Sequence, residues 1–599
     1  MNEKILKRSE VKVEDTWNLS DIFPSDEAWQ KALEELKTYI PRLAGFQGRL
    51  CESAKTLLEY MKLGDEVGIR VSMVYGYANC ASDVDTAVGY YQNMKGQAMG
   101  VLVEISSASA FASPEILAVS DEVFEQFFVD EPELETYRRP LYMVRRMKEH
   151  TLSAAEERIL SMAGEVLQSP DEIGGIFRDA SLTYPDAVDA DGNTYPLTAT
   201  TLVVLMTEGE RTLRRSAFEN FYAVMEQYKA TCAALLNAQF KGLRFASTAH
   251  NYQSSLEAAL DGNEVPVKVY HNLIEAVHEN LEPMYRYVRL RKKLLGVDEL
   301  HMYDVYTPLV ADCAVKIPFE EAKETVLEAL SVLGEDYVAL LKQGFENRWI
   351  DVYENEGKRG GAYSTDVSRP HPYVLLNYKE TLDDMFTLAH EMGHALHSYH
   401  STAAQPTCTG DYVIFVAEVA STCNEVLLMR HLLKKTTDRK ERAYLINHFL
   451  DSFKGTVYRQ TMFAEFERFM GELVDSGETL TDEVLCEKYW ELNRLYFGPD
   501  MISDKEISLE WARIPHFFYD YYVFQYATGF SAAVAIAERI LNEGESAVAD
   551  YKRFLSGGCS ADPISLLKLA GVDMSTPEPV SAGLKLFAEL VEEMEKLNE

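Results

Sequence analysis

Positive charge is what this sequence is short of. It has 58 Lys and Arg against 95 Asp and Glu, a formal net charge of -37 over 599 residues. Such a surface repels phosphate backbones and anionic membranes, so neither nucleic acid nor membrane is expected as a partner. Long apolar runs are missing as well. The longest uncharged run, Tyr521 to Ala537, falls short of the roughly 20 residues a spanning helix needs and holds Gln525, Thr528 and Ser531. The segment from Met1 to Trp17 carries lysines but no apolar core, so no secretion signal is expected. Cys51, Cys80, Cys232, Cys313, Cys408, Cys423, Cys486 and Cys559 form no CxxC pair and read as reduced thiols of a cytoplasmic protein. There is no fixed-period repeat and no low-complexity linker.

What is present is helical periodicity. Ser25–Phe46 places Trp29, Leu33, Leu36 and Ile40 on one stripe, and Ser153–Val166 and Phe319–Gly344 have the same character. Strand signals are few. Ala180–Val188 and Asn193–Leu197 flank Asp189-Ala-Asp-Gly192, a hairpin turn. Trp349–Tyr353, Gly361–Thr365 and Tyr373–Tyr378 form a second group. The expectation is a mainly α protein with a small β-sheet beside the chemistry. A boundary is placed near residue 200, with an N-terminal helical region over 1–200 and a catalytic region over 201–599.

Four of the 13 histidines fall at His390, His394, His397 and His400. Thr381 can cap the helix that carries them, with Asp384 reaching back. His390 and His394 lie one turn apart on one face and can chelate one metal ion. Glu391 is rotated by about 100° from His390, so it can reach a water without being a ligand. That is the physical content of His-Glu-x-x-His. Gly393 costs helix stability and permits close approach of another backbone or of substrate.

A catalytic zinc needs three protein ligands and an open position. His397 is one source for the third, though three ligands from one straight helix converge poorly. Glu418 is the better one. It lies in the helical pattern Phe415–Glu425, where an acid among apolar neighbours is costly unless paired or metal-bound. Ser421 and Glu425 share its face, and Glu425 can accept a hydrogen bond from a ligand imidazole.

These segments carry a resemblance. Thr387-Leu-Ala-His-Glu-Met-Gly-His-Ala-Leu-His-Ser398, Gly360-Gly-Ala-Tyr-Ser364, Ala417-Glu-Val-Ala-Ser-Thr422, Ile514-Pro-His-Phe517, Gln525-Tyr-Ala-Thr-Gly529 and the weaker Trp17-Asn-Leu-Ser-Asp-Ile-Phe23 resemble oligoendopeptidase F, among the thimet-oligopeptidase-like zinc metallopeptidases. The resemblance implies one Zn2+ per chain on His390, His394 and Glu418, with Glu391 as general base. It also implies two helical lobes around a deep substrate channel. In that family a histidine and tyrosines near His516 help stabilise the transition state. Members often have tyrosine at the position of Phe524, so the role here falls to Tyr522 first and Tyr519 second, and a packed aromatic face is the alternative. The function implied is a zinc endopeptidase hydrolysing internal bonds of short unfolded oligopeptides. The rivals are an exopeptidase with the same site and a helical binding protein with a vestigial motif.

Overall fold

The structure, a computed structural model, describes residues 5–310 and 316–599. Cys313 lies outside the described residues, and Cys51, Cys80, Cys232, Cys408, Cys423 and Cys486 are free thiols. The chain is mainly α, with strands of two or three residues. It divides into two compact units, each assembled from three segments: Met1–Glu149, Ala314–His431 and Ile536–Val572 in the first, and His150–Cys313, Leu432–Ala535 and Asp573–Glu599 in the second. The position near 200 where the sequence reading put its boundary falls inside the second unit.

In the first unit, the amphipathic stripe beginning at Ser25 folds as expected but breaks at Thr38. Ser25 Oγ caps a helix over Asp26–Lys37 that buries Trp29, Leu33 and Leu36. A second, short helix follows over Tyr39–Ala44. The core around them takes in Trp17, Val67, Tyr77, Tyr373 and Leu375. The expected helix Phe319–Gly344 is split into Phe319–Ala329 and Glu335–Glu346. Gly334, at φ 97°, makes the turn between them. The helical stretch Gly89–Ala118, which the sequence reading passed over, is long and apolar enough by length and composition to cross a membrane. It carries Lys95, Glu104 and Glu115 and packs Met94, Ala98, Val101 and Ile116 inward.

The seven strands among the described residues are all short. β1 (Ala187–Val188) and β2 (Thr194–Tyr195) form the expected antiparallel hairpin. β3 (Leu300–His301) pairs in parallel with β7 (Met501–Ile502). β4 (Ile350–Asp351), β5 (Tyr363–Thr365) and β6 (Tyr373–Leu375) form one sheet in the order β4-β6-β5, with β5 antiparallel to β6. β5 is therefore an edge strand. The sheet is pinned by fully buried Asp351, which accepts from Arg8 Nη1 and Nη2 at 2.9 and 2.5 Å and pairs with Lys358 at 2.8 Å.

Against this sheet lies the helix Leu382–Ala404, which carries the histidines. The capping box forms as expected: Thr381 Oγ1 accepts from Asp384 N at 3.1 Å, and Asp384 Oδ2 accepts from Thr381 N at 2.9 Å. A second helix, Ile414–Lys435, crosses it at very short range. A Cβ on Gly393 would stand 2.6 Å from Ser421 Cα and 2.9 Å from both Ala420 O and Ser421 N. Asn424 seals the crossing by donating to Ala389 O at 3.1 Å, and it accepts from the Tyr337 hydroxyl at 3.1 Å.

The second unit is organised by the 39-residue helix Arg211–Ala249, which buries Phe218, Phe221, Tyr222, Leu236 and Phe240. Its most demanding polar group is Glu510, 2 % exposed. Oε1 accepts from Arg459 at 2.8 Å and from Arg513 at 2.5 Å, and Oε2 accepts from Tyr489 at 2.6 Å. Burial alone would push this carboxyl up, but the Arg459 and Arg513 guanidiniums outweigh it and hold its pKa at about 2.

Two stability predictions follow from these contacts. In Gly393→Ala, overpacking against unyielding backbone costs about 1–3 kcal/mol, more than the roughly 1 kcal/mol that alanine gains in a helix. Thermal unfolding should show a lower Tm. Gly164→Ala, with nothing within 4 Å of the added carbon, should raise it. Glu510 has a folded pKa below its unfolded value, so its contribution is complete above the unfolded pKa and fades as pH falls towards about 2. Glu510→Gln should cost roughly 3–5 kcal/mol at neutral pH, because two guanidiniums lose their buried counter-charge. Denaturant titrations should show that gap closing below about pH 4.5. A gap independent of pH would contradict the assignment.

Candidate active site and metal centre

One turn of helix separates His390 from His394, and both rings turn toward the crossing helix. Their Nε2 atoms are 3.2 Å apart. Glu418 Oε2 lies 3.3 Å from His390 Nε2 and 3.5 Å from His394 Nε2. These donors form a cluster able to hold a metal ion. Tetrahedral zinc with bonds of about 2.0–2.1 Å spaces its ligands by roughly 3.3 Å, so the triangle has the dimensions of one face of such a tetrahedron. Its donor set, two imidazoles and one carboxylate, also fits zinc. His397, the other source considered for a third ligand, is not part of the triangle. It is 1 % exposed, stacked 3.7 Å from the Tyr412 ring, and burial lowers its pKa to about 3.

The surrounding groups favour positive charge at this point. His390 Nδ1 is 2.5 Å from Glu425 Oε1, which fixes the ring and leaves Nε2 to the cluster. Burial works to keep His390 neutral, but hydrogen bonds to Glu418 and Glu425 prevail and hold its pKa up to about 10. Burial pushes the Glu418 carboxyl up, yet the two imidazoles bring it well below the usual carboxylate range. Ser421 Oγ donates to Glu418 Oε2 at 3.2 Å and orients it. Two carboxylates that stabilise a proton here would equally stabilise a cation replacing it.

Glu391, next in sequence to His390, is 7 % exposed. Its Oε2 has no hydrogen-bond partner, and burial raises its pKa against the opposing pull of His390 and His394. A buried, unpartnered carboxylate oxygen beside a cation cluster is placed to exchange a proton with a small molecule there.

His516, Tyr519 and Tyr522 belong to the second unit. The structure brings them into one aromatic group with Tyr526. His516 is 5.4 Å from Tyr519 and 6.0 Å from Tyr526 between ring centroids, and Tyr522 is 5.2 Å from Tyr526. Burial and the Arg459 charge lower the pKa of His516, so its imidazole is neutral near pH 7 and carries one N–H to donate. Tyr519 is 47 % exposed.

Tyr519, Tyr522 and Tyr526 are helically spaced in the sequence, but the segment is not a continuous helix. A 3-10 turn over Pro515–Phe518 ends at Tyr519, and the next helix starts at Phe524. Between them Asp520 and Tyr521 take left-handed φ values of 53° and 60°. No glycine marks this turn, which is why the sequence hides it. Its anchors went unseen too. Gln239 donates to Asp520 Oδ1 at 3.0 Å, and the Tyr521 hydroxyl is 2.8 Å from Ser255 Oγ. Phe524 is 2 % exposed and packs 5.0 Å from Tyr270, so it is a core residue.

Comparison with known proteins follows the same lines. The family model described as Peptidase family M3 matches residues 204–586, and one described as Oligopeptidase F matches residues 115–184. Oligopeptidase PepF of Bacillus subtilis is 46 % identical over 590 residues, covering 98 % of this chain and 88 % of that protein. Group B oligopeptidase PepB of Streptococcus agalactiae is 39 % identical, covering 98 % of each. The crystal structure of oligoendopeptidase-F from Enterococcus faecium superposes with a TM-score of 0.74 at 36 % identity, over 96 % of this chain and 99 % of that one. With the resemblance extending over nearly every residue, the chain belongs to peptidase family M3, in its oligoendopeptidase F group, and is a peptidase.

Proposed function

We propose that this peptidase is a zinc-dependent endopeptidase acting on short, unfolded oligopeptides, with residues 201–599 as its catalytic region. The observation that carries the reading is the His390–His394–Glu418 triangle with Glu391 buried and unpartnered beside it. One ion per chain would be held by those three residues. When bound, zinc supplies a Lewis acid that polarises a carbonyl and acidifies a water.

The chain's own residues do the rest. Glu425 holds the His390 ring through Nδ1, and Ser421 holds the Glu418 carboxylate. Glu391 takes the proton from the attacking water and delivers it to the leaving amine. Charge that develops on the carbonyl oxygen is met by fixed donors, for which Tyr522 is the first choice, with His516 and Tyr519 beside it. Substrate main chain pairs with the outer edge of β5, which no strand occupies among the described residues. Main-chain pairing requires an extended segment, and this favours unfolded peptides over folded proteins. The named oligoendopeptidases among its relatives support internal cleavage over trimming from an end. Six free cysteines among the described residues fit a reducing compartment, and we place the enzyme in the cytoplasm.

Metal content and turnover test the centre together. A chelator should abolish cleavage and added zinc should restore it. Exchanging both His390 and His394 for Ala should remove the metal. Glu391→Gln should keep the metal yet lose about 10²–10⁴-fold or more in turnover. Mass mapping of products should show internal cuts. Near-normal turnover in Glu391→Gln, stoichiometric metal in the double variant, or release of single terminal residues alone would each contradict the reading.

The donors are tested separately. Tyr522→Phe should retain metal and KM but lose about 10²–10³-fold in kcat, since a hydroxyl acting only in the transition state leaves ground-state binding alone. If Tyr522 serves only in packing, losing its hydroxyl changes stability by about 1 kcal/mol and leaves kcat intact. Tyr519→Phe and His516→Ala complete the set. Wild-type kcat in all three would assign the segment to packing.

A further inference from the structure

His397 belongs to the histidine helix, yet the cluster leaves it unused, and its surroundings are demanding. It is fully buried, and its Nδ1 has no hydrogen-bond partner. A buried polar atom left unpaired is destabilising, so the packing around the ring must offset it. That packing is a stack. The Tyr412 ring lies parallel to the imidazole, at 3.7 Å between centroids and 7° between planes, and the Phe554 ring lies 5.3 Å from it. All three residues belong to the first unit.

Tyr412 stands at the entry to the helix Ile414–Lys435, six residues before Glu418. Its hydroxyl is 3.0 Å from Ser398 Oγ. Ser398 follows His394 by four residues and His390 by eight, so it lies on the same face of the histidine helix, one turn further on. Burial, against the pull of Ser398, pushes the Tyr412 phenol up to about 12, so the hydroxyl keeps its proton and can donate. The loop that brings Tyr412 there has little freedom. Ser401 Oγ donates to Gly410 O, and Thr409 O accepts from Cys559 N at 3.0 Å. A Cβ on Gly558 would stand 2.0 Å from Thr409 O.

Glu418 is therefore flanked along its helix. On its C-terminal side the crossing is held where Gly393 meets Ser421 and where Asn424 donates to Ala389 O. A hold on one side alone leaves a helix free to pivot. Ligand distances at a metal ion are kept to within about 0.2 Å, so the carboxylate must be fixed from both sides. On its N-terminal side the hold is Tyr412.

We infer that the stacked pair His397–Tyr412, tied to Ser398, is a clamp that positions Glu418 for the metal ion while touching neither the ion nor substrate. The inference rests on the zinc reading of the His390–His394–Glu418 cluster and deepens it. It gives His397 a role that needs a flat ring and no imidazole chemistry.

Zinc affinity of the full-length chain, read by competition with a chromophoric chelator, tests this without turnover, with thermal unfolding run alongside. His397→Ala and Tyr412→Ala should each weaken zinc binding about 10–100-fold. The double variant should be little worse than either, because each single change destroys the same stack. His397→Phe keeps a flat ring and should restore affinity to near the wild-type value. Tyr412→Phe and Ser398→Ala remove one and the same hydrogen bond and should each cost about fivefold. These two keep the ring packing, so they report even where the alanine variants of the pair unfold. Loss of zinc in His397→Phe as complete as in the double variant lacking His390 and His394 makes His397 a ligand and overturns the clamp. A lower Tm with unchanged zinc affinity in the folded variants assigns the pair to packing and also overturns it. A wild-type chain that takes up no zinc overturns the zinc reading and the clamp with it. Tight zinc in the wild type that survives unchanged in every variant overturns the clamp alone.

Discussion

Two helices touch backbone to backbone at Gly393, and the geometry of the His390–His394–Glu418 cluster depends on that contact. His390 and His394 supply two donors from one helix, and Glu418 must supply the third from another. The three atoms lie within 3.5 Å of one another, as ligands of one small ion must. Any side chain at position 393 would hold the second helix away and widen the triangle. The helix tolerates a residue that weakens it because the crossing needs the space. Asn424, donating to Ala389 O, fixes the register of the crossing, and Glu425, one residue on, fixes the His390 ring. One short stretch of the second helix thus provides the cluster's carboxylate, a clamp on the crossing and an orienting acceptor for the His390 ring.

Much of that centre is legible in the sequence because its periodicities are local. A four-residue spacing on a capped helix places two imidazoles on one face whatever the rest of the chain does. Glu418 is legible by a different argument: a carboxylate in an apolar helical run needs a partner. His397 ranks below Glu418 on helix geometry alone, but its burial against Tyr412 is not legible, because it depends on residues brought in by the turn after Ala404. The breaks at Thr38 and Gly334 are invisible in the sequence because periodicity carries through a break when both flanking pieces are amphipathic. A single cut near residue 200 suits a chain whose units are contiguous. Each unit here takes three segments, and with no linker composition at the crossings the sequence carries no sign of it.

The tyrosine segment is the least legible in the sequence, and the reason is physical. Two successive non-glycine residues in the left-handed region cost on the order of 1–3 kcal/mol each and are seldom chosen by local preference. They persist because tertiary contacts outweigh local cost: Gln239 on Asp520, Ser255 on the Tyr521 hydroxyl, and the rings of Phe240 and Tyr270 at 5.9 and 6.2 Å from that of Tyr521. The result is a stiff turn. Tyr521 is locked inward, which leaves Tyr519 partly exposed on one side of the turn and Tyr522 joined to Tyr526 on the other. A donor for charge that exists only in a transition state gains most from such stiffness, because it need not reorganise when the charge appears.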